Sequence, residues 1–238
     1  EPISFDVYPG EILGLAGQLG AGTSEILGAI AGSTRTRGGR LHYQGEVFLP
    51  SSPKDAIKRG IAYCSEDRKH DGLFLGRPIM ENMSATALKT ISNYGILNRS
   101  KEATSTTENA VKFTIDPQRL PQEAGVLSGG NQQKLALGKW LSIAPKVILV
   151  NEPTRGVDVG ARAEIYQILR NLADQGAAIV IASTDIQEIT NLPNRIVSFY
   201  RGLQIGQLQL GEMTSANILE QITDPFREAG IVVSEKTS

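Results

Sequence analysis

Short apolar runs bounded by glycine alternate along this chain with segments of helical periodicity. Several runs are apolar throughout, which is typical of strands buried on both faces of a parallel sheet. The alternation of the two patterns predicts an α/β fold with helices on the faces of a mostly parallel sheet. The predicted strands are residues 3–7, 12–16, 41–47, 61–64, 147–150, 178–182, 195–200 and 203–208.

The strand pattern stops between Gly72 and Gly125, where polar segments at 79–91 and 101–113 have helical character. This change predicts a helical insert within the α/β body. We expect one domain over residues 1–225, with a core at 1–72 and 143–225, a helical subdomain at about 73–142 and a flexible tail at 226–238.

Composition and charge exclude several classes of protein. The 238 residues include 24 Lys and Arg against 25 Asp and Glu. The chain has no excess of basic residues, so we expect no nucleic-acid partner. Cys64 is the single cysteine, which excludes an internal disulfide, and with only His42 and His70 a Cys/His zinc cluster is excluded as well. We expect no membrane-spanning helix, and the opening without Met suggests a piece of a longer cytoplasmic protein.

A glycine-rich loop follows the strand predicted at 12–16. It reads Gly17-Gln18-Leu19-Gly20-Ala21-Gly22-Thr23-Ser24-Glu25 and leads into an apolar helix. Strand, glycine loop and helix form the usual setting of a phosphate cradle, in which backbone amides and a helix N-terminus face the anion.

The loop departs from the Gly-x-x-x-x-Gly-Lys-Ser/Thr pattern at its lysine, because Thr23 stands there. Ser24 keeps the hydroxyl that the motif uses for magnesium, and Glu25 adds a negative charge. The sequence therefore predicts the shape of a phosphate site without its cation. For this loop alone, a plain connecting turn is the alternative.

A second motif, Leu127-Ser128-Gly129-Gly130-Asn131-Gln132, opens a helix that extends to about Leu141, and a later apolar strand ends in Asn151-Glu152-Pro153-Thr154. With the phosphate loop, the helical insert and Asp158, these motifs resemble the ATP-binding-cassette family in order and content. The segments 65–73 and 152–161 are similar to the second cassette of the tandem ATPase subunits of bacterial ribose, galactose and xylose importers. The resemblance covers residues 3 to about 207.

The resemblance implies a P-loop NTPase-type nucleotide-binding domain that works with ATP and Mg²⁺. Cassettes of this family pair head to tail, with each ATP between the phosphate loop of one and the signature of the other. The implied partners are an N-terminal cassette of the same polypeptide, transmembrane permease subunits and, indirectly, a periplasmic sugar-binding protein. The implied location is the cytoplasmic face of the bacterial inner membrane.

The resemblance also assigns roles to individual residues. The residues implied to bind nucleotide are Gly17, Gly20, Gly22, Thr23 and Ser24, with Ser24 a candidate magnesium ligand. The signature offered to the partner's nucleotide is Ser128, Gly129, Gly130, Asn131 and Gln132. Glu152 is implied to polarise the attacking water, and Asp158 to lie at the seam between cassettes.

Four positions depart from an active cassette. Thr23 replaces Lys, Asn151 replaces the Asp that holds the magnesium shell, Glu66 replaces the Gln that links magnesium to the membrane partner, and Thr184 replaces the His that contacts the γ-phosphate. Because phosphoryl transfer needs cation, metal and water positioned together, the resemblance implies a degenerate site and a domain that is weak or inactive alone.

Alternatives remain at the level of function and of residues. The domain could be a regulatory module that holds ATP without turnover, or an ATPase active by itself; Glu25 argues against the first and Thr23 with Asn151 against the second. Glu152 could be a strand-end carboxylate that caps the helix near Gly160. The loop residues Glu66, Asp67, Arg68 and Asp71 could be solvated, or could form a joint with the permease or the γ-phosphate sensor.

Overall fold

The computed structural model describes residues 3–36 and 38–226, and its central feature is a six-stranded sheet. In chain order the strands are β1 Ile12–Gly17, β2 His42–Tyr43, β3 Glu46–Val47, β4 Ile61–Cys64, β5 Ser92–Asn93, β6 Ile96–Leu97, β7 Val147–Asn151, β8 Ala178–Ser183, β9 Arg195–Tyr200 and β10 Leu203–Gln209. The helices are α1 Thr23–Ile30, α2 Pro53–Lys58, α3 Ile79–Ser84, α4 Arg99–Lys112, α5 Gly129–Leu141, α6 Val159–Asp174, α7 Ile186–Asn191 and α8 Ser215–Thr223.

The large sheet has the strand order β10-β9-β1-β8-β7-β4. All pairs within it are parallel except β10 with β9. The pairing of β1 with β8 sets Ala16 beside Ser183, and that of β8 with β7 sets Asn151 beside Ala182. The predicted α/β fold with a mostly parallel sheet is confirmed, and the carboxyl ends of these three strands meet at one edge.

Both faces of the sheet are covered, which explains the continuous apolar runs. Along β1, Ile12 and Ala16 face one buried cluster, and Leu13 and Leu15 face the other. The first cluster extends into α5 and α6, and the second includes Leu27 of α1. Since every residue of β1 is buried, this strand anchors the phosphate loop that follows it.

The segment between β4 and β7 packs α3 and α4 against α5. Phe113, at the end of α4, is only 1% exposed, and a Cβ on Gly138 of α5 would lie 3.3 Å from its ring. Glu102 is buried on the same side of α4 and accepts hydrogen bonds from Ser84 at 2.7 Å and from Arg99 at 2.9 Å.

Two hairpins correct the sequence-based predictions. The strand predicted at 41–47 is the hairpin β2–β3, and the helix predicted at 79–91 ends at Ser84, with the hairpin β5–β6 beginning at Ser92. Their turns, Gln44-Gly45 and Tyr94-Gly95, have positive φ at both residues. Backbone of this handedness closes tight antiparallel hairpins and interrupts either regular element.

The strand predicted at 3–7 is also wrong, because residues 3–8 have no regular structure. Side chains, and not a neighbouring strand, form hydrogen bonds with some of the backbone groups of these residues. Gln204 accepts from the Ser4 amide at 2.7 Å and donates to the Ser4 carbonyl at 2.9 Å, and Arg195 donates to the Asp6 carbonyl. Apart from Phe226, the tail predicted at 226–238 lies outside the described residues.

Across residues 3–36 and 38–226, no helix combines the length and the apolar character needed to cross a membrane.

We expect Phe113→Ala to lower the free energy of unfolding by about 3–5 kcal/mol, since the substitution leaves a cavity between α4 and α5. Val111→Ala on the same helix is the control, because Val111 is 62% exposed; its effect should stay within about 0.5 kcal/mol. Urea titration followed by circular dichroism measures both. If Phe113→Ala costs as little as Val111→Ala, the helical segment does not contribute to the cooperative core.

Candidate functional site

The phosphate loop has the backbone of an anion cradle. Helix α1 begins at Thr23 after Gly22, whose φ of 98° is left-handed, and no side chain in the described part of the chain caps it. By contrast, side chains cap α4, α5, α6 and α8. The first amides of a helix have no intrahelical acceptor, so those of α1 remain free to face an anion.

Thr23 adds no charge to this cradle. It is 8% exposed, and its Cγ2 lies 3.2 Å from the position that a Cβ on Gly17 would occupy. The side chain therefore packs inward against the start of the loop. Glu25, in the first turn of α1, is exposed and acidic.

Ser24 and Asn151 meet behind the loop. The Ser24 hydroxyl donates to Asn151 Oδ1 at 3.2 Å, and Asn151 itself is buried at the end of β7. Burial raises the pKa of the neighbouring Tyr63 phenol, and the side chain of Asn151 opposes that rise. Magnesium sites in proteins rely on carboxylates and phosphate oxygens. The neutral amide of Asn151 offers Mg²⁺ no carboxylate charge, and the role of Ser24 as a magnesium ligand stays a prediction.

Glu152 follows Asn151 with a left-handed φ of 51°, a conformation uncommon for a residue other than glycine. Its carboxylate accepts from the Thr184 amide at 2.9 Å and from the Ser183 hydroxyl at 3.4 Å. The alternative that Glu152 caps α6 is wrong, because Asp158 does so through a 2.9 Å hydrogen bond from the Ala161 amide. Glu152 instead connects the ends of β7 and β8.

The motif at residues 127–132, here called the signature segment, forms the start of α5. Ser128 is exposed and caps the helix by accepting from the Asn131 amide at 3.4 Å. A Cβ on Gly129 would lie 2.6 Å from the Gly156 carbonyl oxygen, and one on Gly130 would lie 2.5 Å from Ala161 Cβ. Glycine is therefore required at both positions for this helix start to pack on residues 156–161.

Gln132 differs from the other predicted signature residues. It is 5% exposed, and its side chain donates back to the Leu127 carbonyl at 3.1 Å. Because the Gln132 side chain bonds to the start of its own helix, it is not available to a nucleotide held by a partner cassette. Its place on a helix face became evident only from the packing of α5.

The structure thus brings the predicted residues together in two groups. Gly17, Gly20, Gly22, Thr23, Ser24, Asn151, Glu152 and Thr184 lie at the edge formed by β1, β7 and β8, and Ser128, Gly129, Gly130, Asn131, Asp158 and Glu66 lie around the start of α5 and the loop after Glu152. The first group contains a glycine loop that leads into α1, and the second contains a pair of glycines at the start of α5, which Ser128 caps. The chain therefore carries two separate candidate half-sites for phosphate.

The sequence profile of the ABC transporter family matches residues 1–155. This chain belongs to that family. It is 39% identical over 232 residues to the arabinose import ATP-binding protein AraG of Pseudomonas fluorescens, covering 97% of the chain and 45% of AraG. It is 40% identical over 220 residues to the ribose import ATP-binding protein RbsA of Caldanaerobacter subterraneus, covering 92% of the chain and 44% of RbsA. The chain therefore spans slightly under half the length of these relatives.

Solved structures show the same fold. A nucleotide-free ATP-binding cassette from an ABC transporter superimposes with a TM-score of 0.79 at 18% identity, covering 98% of this chain and 92% of that one. A dimeric cassette in a post-hydrolysis state with ADP and Pi gives a TM-score of 0.75 at 20% identity, covering 87% and 88%. The predicted ABC cassette fold is confirmed.

In this ABC cassette, Glu66 forms an ion pair with Arg155, Oε2 to Nη1 at 2.6 Å. Glu66 is half-buried and Asp67 is exposed, so the hypothesis of a solvated loop holds for Asp67 and Asp71 and is wrong for Arg68. Arg68 is buried, whereas Lys69, His70 and Asp71 are exposed. Hydrogen bonds from His70 and Ser65 lower the pKa of the Asp71 carboxyl.

Glu188 of α7 is a buried acid that the sequence analysis did not single out. It is 1% exposed, and among the described residues neither carboxyl oxygen has a hydrogen-bond partner. Burial raises its pKa to about 7, with Glu152 and Asp185 contributing repulsion. The hydroxyls of Ser183 and Thr154 favour the charged form but do not reach hydrogen-bond geometry. A glutamate in a short amphipathic helix carries no sequence signal of such burial.

We expect stability to fall as pH rises from about 4.5 to about 7, because folded Glu188 keeps its proton in this range while the unfolded chain loses it. The full loss should be roughly 3 kcal/mol and should be complete above about pH 7. Glu188→Gln should remove this slope, whereas Glu108→Gln, at an exposed glutamate of α4, should keep it. Urea unfolding between pH 4.5 and 8 measures the effect, and an unchanged slope in Glu188→Gln would refute the assignment.

Proposed function

We propose that this chain is the C-terminal nucleotide-binding domain of a sugar-importer ATPase, and that it completes an ATP site whose phosphate loop belongs to an N-terminal cassette of the same polypeptide. The observation that carries the proposal is the contrast between its two half-sites. Its signature segment is nearly intact, with Asn131 in place of the family's Gln and with Ser128 exposed, whereas its own phosphate loop has no cation.

The phosphate-loop half-site lacks the positive charge that ATP requires. ATP places several negative charges on a phosphate loop, and preorganised positive groups supply most of the stabilisation in phosphoryl transfer. Here Thr23 and Asn151 are neutral, and Glu25 adds repulsion. Glu152 retains a carboxylate near the strand ends, but neither a lysine nor a metal-holding aspartate stands beside it to position a phosphoryl group.

The signature half-site is formed by the N-terminus of α5. Ser128 offers a hydroxyl at the surface, and the amides of Gly129 and Gly130, which the Ser128 cap does not use, lie at the positive end of the helix dipole. These groups bind oxyanions without a side-chain cation. Asp158 is exposed beside them and keeps residues 156–161 in place by capping α6.

The named relatives support the wider assignment. AraG and RbsA are import ATP-binding proteins, and their length is more than twice the part that this chain matches, which leaves room for a second cassette. By analogy, the partners of the whole protein are permease subunits and, indirectly, a periplasmic sugar-binding protein. The assembly would act at the cytoplasmic face of the inner membrane and couple ATP hydrolysis to monosaccharide uptake.

A regulatory module that holds ATP without turnover is the second candidate. The uncapped first turn of α1 after Gly22 favours it, because free amides can bind phosphate without Lys. Thr23 turned inward and the acidic Glu25 disfavour it.

We expect Ser128→Arg in the full-length subunit to reduce ATP hydrolysis by about 100-fold, because the donated hydroxyl is lost and a large side chain fills the contact with the partner's nucleotide. Thr214→Arg is the matched control: Thr214 caps α8 in the same manner and is equally exposed. Steady-state ATPase assays with the permease present measure both. If Ser128→Arg keeps wild-type turnover, the donor role is excluded.

A further inference from the structure

Arg68 connects two segments that lie far apart in sequence. It belongs to a turn of π-helix at Arg68–Gly72 and is only 9% exposed. Its Nη1 donates to the Arg155 carbonyl at 2.6 Å, and its Nη2 donates to the Gly156 carbonyl at 3.3 Å. A single guanidinium therefore holds two successive carbonyls of the loop between Glu152 and α6.

The signature segment rests on the same two groups. A Cβ on Gly129 would lie 2.6 Å from the Gly156 carbonyl oxygen and 3.1 Å from Arg68 Nη2. Next to it, Gly130 packs against Ala161 and Val157. The position of the α5 N-terminus is thus set by where the Gly156 carbonyl stands, and Arg68 fixes that carbonyl.

We propose that Arg68 is a positioning residue for the signature: by holding the Arg155 and Gly156 carbonyls, it determines where Ser128 is presented to the nucleotide of the partner cassette. This inference rests on the proposed donor function. Arg68 touches no nucleotide itself and acts through Gly156 and Gly129.

The chemistry of the contact favours arginine at this position. The planar guanidinium can donate to two neighbouring carbonyls at once, which the compact ammonium of lysine does less well. Burial lowers the pKa of Arg68, and the negative charge of Asp67 opposes that shift. By comparison, the Glu66–Arg155 ion pair that joins the same two segments lies nearer the surface.

The first measurement compares ATP hydrolysis by the full-length subunit with its permease. Arg68→Ala should lower kcat by about 10- to 100-fold, the cost of a small displacement of a catalytic contact. Arg68→Lys should restore part of the loss. Gly129→Ala, which pushes the signature away from Gly156 without removing Arg68, should reproduce the defect. Lys69→Ala, at an exposed neighbour on the same turn, should match the wild type.

Amide hydrogen exchange on this chain separates positioning from general stability. In Arg68→Ala, amides at 128–131 and 155–158 should exchange faster while those of β1, β7 and β8 keep their protection. Faster exchange throughout the sheet, with Arg68→Lys no better than Arg68→Ala, would overturn the inference.

A double-mutant cycle with Ser128→Ala tests whether Arg68 acts through the signature. If it does, Arg68→Ala should add little to the loss already caused by Ser128→Ala. If the two losses multiply in full, Arg68 acts elsewhere and this inference alone fails. If Ser128→Ala by itself leaves hydrolysis unchanged, the donor function fails first.

Discussion

The parallel register of β1, β8 and β7 is the constraint on which the site depends. Because Ala16 lies beside Ser183 and Ala182 beside Asn151, the phosphate loop and the two strand ends emerge at one edge of the sheet. Ser24 can therefore reach Asn151, and Glu152 can reach Thr184. A shift of register by one residue would exchange the side chains of these strands between the two buried clusters, so close packing on both faces helps to hold the geometry of the site.

The phosphate loop and the signature segment depend on side chains to different degrees. The fold supplies backbone amides wherever a glycine loop leads into a helix, and it does so at α1 regardless of side chains. A cation or a metal-binding carboxylate, in contrast, depends on a single side chain, and Thr23 and Asn151 supply neither. The donor role proposed for the signature segment requires a hydroxyl and close packing, which Ser128, Gly129 and Gly130 provide.

The sequence predicted the parts of the fold that local pattern determines. The parallel strands were predictable because they are continuously apolar, and both glycine motifs were predictable because their spacing is distinctive. The hairpins at Gln44-Gly45 and Tyr94-Gly95 were missed because their strands have only two residues each. Residues 3–7 alternate like a strand, yet Gln204 and Arg195 satisfy part of their backbone.

Side-chain contacts over long sequence distances were not predictable. The bond from Arg68 to Arg155 spans 87 positions, and only the fold brings these residues together. The burial of Glu188 and the inward turn of Gln132 likewise depend on which face of a helix meets its neighbour. Glu152 lies near the predicted phosphate position, but its partners Ser183 and Thr184 come from another strand.

We expect that the phosphate loop of this chain does not hold ATP by itself. Calorimetric titration of the chain with magnesium-ATP, from micromolar to several millimolar, tests it most directly. No saturable binding should occur below the millimolar range, about −4 kcal/mol, because Thr23 and Asn151 provide neither a cation nor a metal-binding carboxylate. Micromolar binding, about −8 kcal/mol, would contradict it and would favour a module that holds nucleotide without turnover.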